Sequence, residues 1–309
     1  MISVIIVTFN AGEEFRSCLG SISRQTYAVR ETIIINNAQG KTLNGEISKY
    51  KIPIRLFNAP SNLFYCQALN QGIRMSRGDF ILCLNDDVIL EPGFIEEGRR
   101  GFCIHRKIGM VSGKLLRSNK EIIDSAGLFL SAWRTARERG YGIRDSGQFE
   151  KEGYIFGVNG AVAFYRRQML EDIQKNGYYY DPEYRIFYED LDIAWRAQRK
   201  GWKGYYLPQA VAYHVRGATV RTRVGVNRPF ARIYLNDELH LDLIKNRYLT
   251  IIRNESVAGL ILHSPFILIY DLLLWAYVLI FNARLVKKFL PETACLKRAF
   301  LKRVYRLGC

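Results

Sequence analysis

Two acidic clusters are the parts of this chain with the clearest potential for chemistry, and the first lies at residues 80–90. There Asp86 and Asp87 interrupt an apolar run, FILCLNDDVIL. Two adjacent carboxylates at the end of a buried strand are costly unless a positive charge compensates them. Because hard oxygen ligands suit Mg²⁺ and Mn²⁺, the cluster predicts a divalent metal site that holds a diphosphate. The alternative is an ordinary turn in which an aspartate caps the next element.

The second cluster, Glu189 and Asp190, follows an aromatic-rich segment, DPEYRIFY, at residues 181–188. The helix dipole stabilises a carboxylate at a helix start, so simple capping is one explanation. Such a carboxylate also stays ionised at neutral pH and could accept a proton from a hydroxyl group. Further along, His214 ends a short apolar stretch, AVAYHVRG. A lone histidine is often structural, but imidazole is also a ligand for Mn²⁺.

The elements that must position these residues alternate through the first half of the chain. Four apolar runs predict strands and two amphipathic stretches predict helices, namely strands at 2–8, 32–36, 52–57 and 80–84 and helices at 13–25 and 65–76. This order predicts an α/β fold with a mostly parallel central sheet and helices on both faces. Ligands of such sheets bind at the carboxyl ends of the strands. Thr8, Asn36 and the first acidic cluster all fall at those ends.

The middle of the chain has less regular patterns. Residues 154–167 are the clearest strand there, and helical spacing starts at Glu189. The stretches GYYLP and AVAYHVRG predict two further short strands, and residues 236–256 predict an amphipathic helix.

Residues 259–281 form the most apolar segment of the chain. Pro265 is expected to disrupt a helix near its start, and Asp271 lies in its middle. The uninterrupted part, 266–281, gives roughly 24 Å of helix, which is shorter than the ~30 Å hydrocarbon layer of a bilayer. A helix lying in the membrane interface is therefore favoured, while a core or oligomer helix and a true span are the alternatives.

The charge balance bears on possible partners. The chain has 45 basic and 29 acidic residues, a net charge of +16. The excess is concentrated at 284–306 and 216–232, and the first of these stretches follows the apolar segment. That arrangement suits an anionic membrane surface better than nucleic acid.

The cysteines and the N-terminus bear on the cellular compartment. The six cysteines have no metal or redox spacing, which predicts buried, reduced thiols in a cytosolic protein. The N-terminus, MISVIIVTFN, lacks the basic region of a signal peptide and predicts a first strand instead.

Three stretches, residues 3–27, 61–97 and 187–217, resemble successive sequence blocks of the family 2 glycosyltransferases in order and spacing. The likeness is greatest to the bacterial rhamnosyltransferase-like branch, which extends cell-surface polysaccharides. The resemblance covers about residues 1–220. It implies a GT-A fold, a nucleotide-diphospho-sugar donor (a dTDP- or UDP-sugar) and an inverting transfer that uses Mg²⁺ or Mn²⁺.

The resemblance also implies roles for individual residues. Asp190 matches the catalytic base, Asp87 the principal metal ligand and Asp86 the secondary one, while His214 is a further candidate ligand because of its position after the acidic helix. Asn36 stands where the family usually has an aspartate. The implied donor-binding set is Thr8, Asn10, Asn36, Asn62, Asn70, Arg74 and Asp86. The implied acceptor side is Gly157, Asn159, Gly160 and Glu189, where a glycine lets a sugar approach the backbone closely.

These inferences combine into one expectation for the whole chain. Residues 1–225 are expected to form the catalytic GT-A domain, and residues 226–309 a helical, membrane-associating region. The enzyme would act on a lipid-linked glycan at the cytoplasmic face of the bacterial inner membrane, as a peripheral or monotopic protein that does not bind nucleic acid. The alternative is a non-catalytic scaffold with the same fold.

Overall fold

The structure, a computed structural model, describes residues 1–38, 40, 43–215 and 235–307. Its strands are β1 Ile2–Thr8, β2 Glu31–Asn36, β3 Ile54–Asn58, β4 Phe80–Asn85, β5 Val88–Leu90, β6 Ile108–Arg117, β7 Ile123–Ser125, β8 Leu128–Leu130, β9 Ala136–Glu138, β10 Gly153–Ile155, β11 Val162–Arg166 and β12 Lys203–His214. Its helices are α1 Glu13–Ser23, α2 Asn44–Ile47, α3 Phe64–Met75, α4 Phe94–Ile104, α5 Arg167–Ile173, α6 Glu189–Arg199, α7 Asp237–Asn254, α8 Val257–Phe281, α9 Arg284–Phe289 and α10 Thr293–Leu307, with a 3-10 turn at Leu290–Glu292 between the last two.

A mixed sheet forms the centre of the molecule, in the order β10-β12-β6-β11-β4-β1-β2-β3. β3, β2, β1 and β4 run parallel to one another, and β12 runs parallel to β6. β11 is inserted antiparallel between β4 and β6. The predicted α/β fold with a central, mostly parallel sheet is confirmed.

Helices cover both faces of this sheet because its strands are apolar on both sides. β1 and β2 are buried along their whole length. One face packs against α1 and α4 in a cluster that contains Phe15, Leu19 and Phe102. The other packs against α3, α5 and α6 in a cluster that contains Leu69, Leu170 and Ile193. Two buried layers fix the sheet, so its carboxyl-end rim is a rigid platform.

Two predictions about strands were wrong in detail. Residues 154–167 form two strands, β10 and β11, and the turn between them contains Asn159 and Gly160. The two short strands predicted from GYYLP and AVAYHVRG form one long strand, β12, which has a register irregularity between Leu207 and Val211. Such an irregularity changes which face of the sheet the following side chains point to. The sequence pattern is interrupted there and therefore predicts two strands.

The apolar segment forms one helix, α8, of 25 residues that includes Pro265. It is the one described helix long and apolar enough to cross a membrane by length and composition. The prediction that Pro265 shortens the helix was therefore wrong. Asp271 pairs with Arg247 of α7, whose side chain is 1% exposed. This pairing directs one face of α8 towards the rest of the protein.

Four of the described cysteines, Cys18, Cys66, Cys83 and Cys295, are buried free thiols and Cys103 is an exposed one. The basic stretch 216–232 and Cys309 lie outside the described residues.

Candidate active site

A cleft of about 2140 Å³ opens at the carboxyl-end rim of the sheet. Both acidic clusters line it, as do His214 and the turn between β10 and β11. The remaining walls come from the β8–β9 hairpin and from the first turns of α7. Residues more than 100 positions apart in sequence therefore share one cavity.

Strand pairing brings Asp87 and His214 together. β5 runs antiparallel to the end of β12, so that His214 pairs with Val88. The Nε2 atom of His214 lies 3.3 Å from Asp87 Oδ1, and its Nδ1 atom lies 2.9 Å from Asp124 Oδ2. Burial lowers the pKa of His214, but hydrogen bonds with Asp124 and Asp87 outweigh it and raise the pKa to about 9. The two carboxylates thus favour the protonated imidazole, and a metal bound beside Asp87 would replace the proton on Nε2.

These residues fit a divalent metal. Asp87 and His214 offer the oxygen and nitrogen ligands that Mn²⁺ or Mg²⁺ accepts. Asp124, which is fully buried, accepts a hydrogen bond from the other ring nitrogen, an arrangement typical of metal-binding histidines. The part of the chain that the structure describes has no group of three or more His, Cys, Asp or Glu side chains able to hold a metal. Oxygen atoms of the substrate and water would supply further ligands.

Asp86 lies at the same end of the cleft. Burial raises its pKa to about 6, with a further rise from Asp87 and an opposing effect from the hydroxyl of Thr8. Thr8 itself is fully buried at the end of β1, whereas Asn10 is exposed in the cleft. The local negative charge of this end of the cleft matches a bound cation.

Asp190 lies in the first turn of α6, at the other side of the cleft. Its Oδ1 accepts a hydrogen bond from the backbone N–H of Leu191 at 2.7 Å and its Oδ2 from that of Gly160 at 3.2 Å. Burial raises the pKa of Asp190, against these backbone hydrogen bonds, which lower it. A Cβ atom at Gly160 would lie 3.5 Å from Asp190 Oδ2 and 3.2 Å from Glu189 Oε1. Gly160 thus leaves both carboxylates room at the cleft wall.

Glu189 is 7% exposed, and its Oε2 atom has no hydrogen-bond partner among the described residues. Burial raises its pKa to about 8, and the neighbouring charge of Asp190 adds to this rise. The two carboxyl groups therefore titrate as a pair, which holds a proton more readily than either group would alone.

Glu138, at the end of β9, is a cleft residue that the sequence analysis missed. It accepts hydrogen bonds from Asn159 at 2.8 Å and from the hydroxyl of Ser125. Burial raises its pKa to about 7, the charge of Asp190 adds to this rise, and the two hydrogen bonds oppose it. Neither Glu138 nor Asp124 stands in a recognisable motif; each is a single acid in an unremarkable stretch, so spacing alone gave no signal.

Several residues predicted to bind the donor lie outside the cleft lining. Asn36 donates to Asn58 at 2.9 Å at the ends of β2 and β3. Asn62 accepts hydrogen bonds from Asn37 and from the backbone of Phe64, and so stabilises the turn before α3.

Two more members of that set lie on α3. Asn70 is fully buried, and its amide bonds the backbone of Tyr179 and Tyr180. Arg74 is exposed in the last turn of the helix, at the end away from the rim. On the acceptor side, Gly157 faces α6, where a Cβ atom would lie 2.4 Å from the Cβ atom of Ala194. The close approach that Gly157 permits in this structure is that of a helix.

The fold and the cleft can be compared with known proteins. The family model "Glycosyl transferase family 2" matches residues 3–174, more than half of the chain. The chain belongs to this family. The match spans the rim of β1, the first acidic cluster and Asn159–Gly160, and it ends before α6.

One curated relative covers a larger part of this family 2 member. It is the poly-beta-1,6-N-acetyl-D-glucosamine synthase of Staphylococcus aureus (strain COL), 22% identical over 223 residues, which are 69% of this chain and 49% of the synthase. The matched part of the chain spans 28–49% of the length of these curated relatives.

Solved structures with the same fold are also found. Residues 1–349 of S. aureus TarS in complex with UDP-GlcNAc align with a TM-score of 0.56 at 15% identity, over 86% of this chain and 70% of that one. The mannosyltransferase PcManGT of Pyrobaculum calidifontis, in complex with GDP-Man and Mn²⁺, aligns with a TM-score of 0.55 at 12% identity, over 99% of this chain and 87% of the other. These similarities establish the GT-A-like fold of this chain.

Proposed function

We propose that this family 2 member is an inverting glycosyltransferase that moves a sugar from a nucleotide-diphospho-sugar to an acceptor hydroxyl. One observation carries the proposal. A single cleft presents a site for a cation, Asp87 with His214, and a separate carboxyl group, Asp190, held by backbone N–H groups. Transfer of a sugar needs both features, one for the leaving diphosphate and one for the attacking hydroxyl.

Asp190 is the proposed base. It takes the proton of the acceptor hydroxyl while that oxygen forms its bond to C1 of the sugar and the bond from C1 to the diphosphate oxygen breaks. The hydrogen bonds from Gly160 and Leu191 keep the carboxylate in place. A proton on Glu189 would leave Asp190, which accepts both backbone hydrogen bonds, as the charged member of the pair. Mg²⁺ or Mn²⁺ held by Asp87 and His214 would stabilise the negative charge of the departing diphosphate.

The donor is proposed to be a UDP- or dTDP-sugar, with rhamnose among the candidate sugars. UDP-GlcNAc bound to TarS and GDP-Man with Mn²⁺ bound to PcManGT support a nucleotide-sugar and a divalent cation for this fold. A panel of UDP-, dTDP- and GDP-sugars, with purified protein and Mg²⁺ or Mn²⁺, tests the assignment by release of the nucleoside diphosphate. One preferred donor is the expected result. Release from no donor, with wild-type folding intact, would favour the non-catalytic scaffold.

The acceptor is proposed to be a lipid-linked, cell-surface glycan, with residues 1–225 as the catalytic domain and 226–309 as a membrane-associating region. α8 buries only Ile267, Leu274 and Val278 on one stripe. The rest of its surface is apolar and exposed, including Leu262, Leu272 and Ile280, each at least 70% exposed. Exposed basic residues of α9 and α10 lie next along the chain, namely Arg284, Lys287, Lys288, Lys297, Arg298 and Lys302.

An apolar face beside basic side chains suits a helix in the interface of an anionic membrane. The pairing of Asp271 with Arg247 favours docking over spanning, because both charges stay against the protein. The proposed location is the cytoplasmic face of the bacterial inner membrane.

Flotation with phosphatidylglycerol-containing vesicles tests this surface, with duplex DNA of equal charge as a separate arm. Wild type is expected to float with the vesicles and to leave DNA unbound, and Leu272→Glu to lose most vesicle binding. Tyr154→Glu is a matched control because Tyr154 is 59% exposed on an edge strand of the sheet, on β10. If the wild-type protein does not bind vesicles, α8 would instead be a core helix or an oligomer interface.

A further inference from the structure

The segment that leads into α6 has an unusual backbone. Phe187 and Tyr188, the two residues before Glu189, both have left-handed conformations, with φ of 68° and 67°. Residues other than glycine rarely adopt this backbone conformation, but here two successive aromatic residues do. Surrounding structure must therefore hold this pair, because the isolated backbone would favour a right-handed or extended form.

Asn246, in the middle of α7, supplies that hold. Its Nδ2 atom donates to the carbonyl oxygen of Ile186 at 2.7 Å and to that of Phe187 at 3.0 Å. Because both partners are carbonyl oxygens, only the amide nitrogen can face them. Asn246 is fully buried. One side chain, about 60 residues away in sequence, thus fixes two successive peptide groups immediately before the candidate base.

Three other side chains of α7, all C-terminal to Asn246, contact the same segment. Arg253 pairs with Asp181 at 2.7 Å and also with Glu183. The hydroxyl of Thr250 donates to the backbone carbonyl of Asn246 at 2.7 Å and lies 3.0 Å from the hydroxyl of Tyr184. Asn254 donates to Asp192, on the helix α6 itself, at 2.7 Å. α7 therefore lies along the whole segment 181–192, and the contact of Asn246 is the one next to the left-handed pair.

We propose that Asn246 is a positioning residue for Asp190; this inference rests on the proposed function. By fixing the carbonyl groups of Ile186 and Phe187, Asn246 holds the left-handed turn that orients the first turn of α6. That orientation places the Asp190 carboxylate against the N–H of Gly160. Without Asn246 the turn relaxes, the carboxylate moves, and a displacement near 1 Å is enough to slow transfer strongly.

The inference assigns the C-terminal region a second task besides membrane association. α7 is part of the catalytic apparatus through Asn246, while α8 carries the exposed apolar face. Loss of α7 would therefore remove activity even on a soluble acceptor.

The experiment compares Asn246→Ala with Thr250→Val in the full-length chain. The control removes the Thr250 hydroxyl, which contacts Tyr184 of the same segment and the backbone carbonyl of Asn246, and it conserves volume. We expect Asn246→Ala to lower kcat about 10- to 100-fold and to leave the donor KM within about twofold, because the metal site is untouched. Thr250→Val should leave kcat near the wild-type value. Thermal unfolding of both variants is measured alongside.

Hydrogen–deuterium exchange provides a readout that needs no activity. Peptides covering 181–192 should exchange faster in Asn246→Ala than in Thr250→Val, while peptides from β1 and β4 stay unchanged. If Asn246→Ala does not fold, Asn246→Ser, which keeps one donor, takes its place in every measurement.

Two results would overturn the inference. One is a fall in kcat that is equal in the two variants at equal loss of thermal stability, which would make Asn246 merely structural. The other is unchanged exchange of 181–192 in Asn246→Ala. Wild type that transfers no sugar would count against the proposed function instead, and the exchange measurement would still decide whether Asn246 fixes the segment.

Discussion

The imidazole of His214 bridges Asp87, at 3.3 Å from its Nε2 atom, and the fully buried Asp124, at 2.9 Å from its Nδ1 atom. The carboxylate of Asp124 fixes a proton on Nδ1, so Nε2 would give up its own proton and offer its lone pair to a metal bound beside Asp87. Arg117 lies 3.7 Å from the other side of Asp124. The contact with His214 explains why Asp124, a buried acid outside any sequence motif, belongs to the site.

Asp124→Asn should weaken binding of Mn²⁺ in the presence of UDP by about 10- to 100-fold, the usual loss for such a partner of a metal-binding histidine. An amide can also donate to Nδ1 and so permits the wrong tautomer. Titration calorimetry measures the affinity, and thermal unfolding verifies folding. Asp172→Asn, which alters an exposed partner of Lys200, is the control and should bind as wild type does. Equal affinity in both variants would exclude this role.

Asp190→Asn should lower kcat by about 10²- to 10⁴-fold, the scale for loss of a positioned base. The amide keeps the shape of the side chain but does not take up the proton of the acceptor hydroxyl. Donor binding in the presence of Mn²⁺ should stay unchanged, because Asp87 and His214 are intact. Initial rates with the preferred donor measure the effect, with Glu171→Gln on the exposed side of α5 as control. Activity near wild type would remove Asp190 from the mechanism.

Glu189→Gln should change how stability depends on pH. Glu189 keeps its proton in the folded chain up to a pKa of about 8, whereas its ordinary pKa is 4.5. Between these values the native state binds more protons than the unfolded state, so the free energy of unfolding falls as pH rises, by at most about 1.4 kcal/mol per pH unit. Glutamine resembles the protonated acid and does not ionise, so the Glu189→Gln variant should not show this fall in the free energy of unfolding.

The gain in stability of Glu189→Gln over wild type should thus be absent below pH 4.5 and grow towards pH 8. Urea unfolding at pH 5, 6.5 and 8 measures it, and Glu171→Gln should show no such trend. A constant difference across this range would mean that Glu189 titrates normally in the folded chain.

The ion pair of Arg247 and Asp271 should show strong coupling. Removing one partner leaves a buried charge without compensation, at a cost of about 3–5 kcal/mol. The double variant Arg247→Met/Asp271→Leu should therefore lose less stability than the sum of the two single variants. A double-mutant cycle by chemical unfolding tests this, and additivity within about 0.5 kcal/mol would show that α7 and α8 do not pair there.

The sequence alone predicted the α/β fold and the first half of the rim. Apolar runs such as 2–8 and 80–84 identify strands directly, because a strand buried on both faces must be apolar throughout. Parallel neighbours end at the same edge, so the polar residues that follow them were expected to meet. β1 and β4 are indeed neighbours in parallel, and Asp86 and Asp87 line the cleft.

Predictions for the second half were less accurate because its strands are short, irregular or antiparallel. Nothing in the pattern of residues 123–138 indicates that Asp124 and Glu138 face the site, because their hydrogen-bond partners there, His214 and Asn159, lie 90 and 21 positions away in sequence. The same holds for α8. Its composition shows an apolar helix, but only the pairing of Asp271 with Arg247 identifies the face that packs against the protein.

By itself, the sequence determined the family blocks, the strand-end position of the acidic residues and the apolar character of the C-terminal helix, because these are local properties of composition and spacing. Only the tertiary structure decided that His214 meets Asp87 and that Asn246 holds the turn before Asp190. Such contacts join residues that are tens to more than a hundred positions apart. Hydrophobic periodicity records whether a side chain is buried and not which partner it meets, so strand order and helix docking must supply that information.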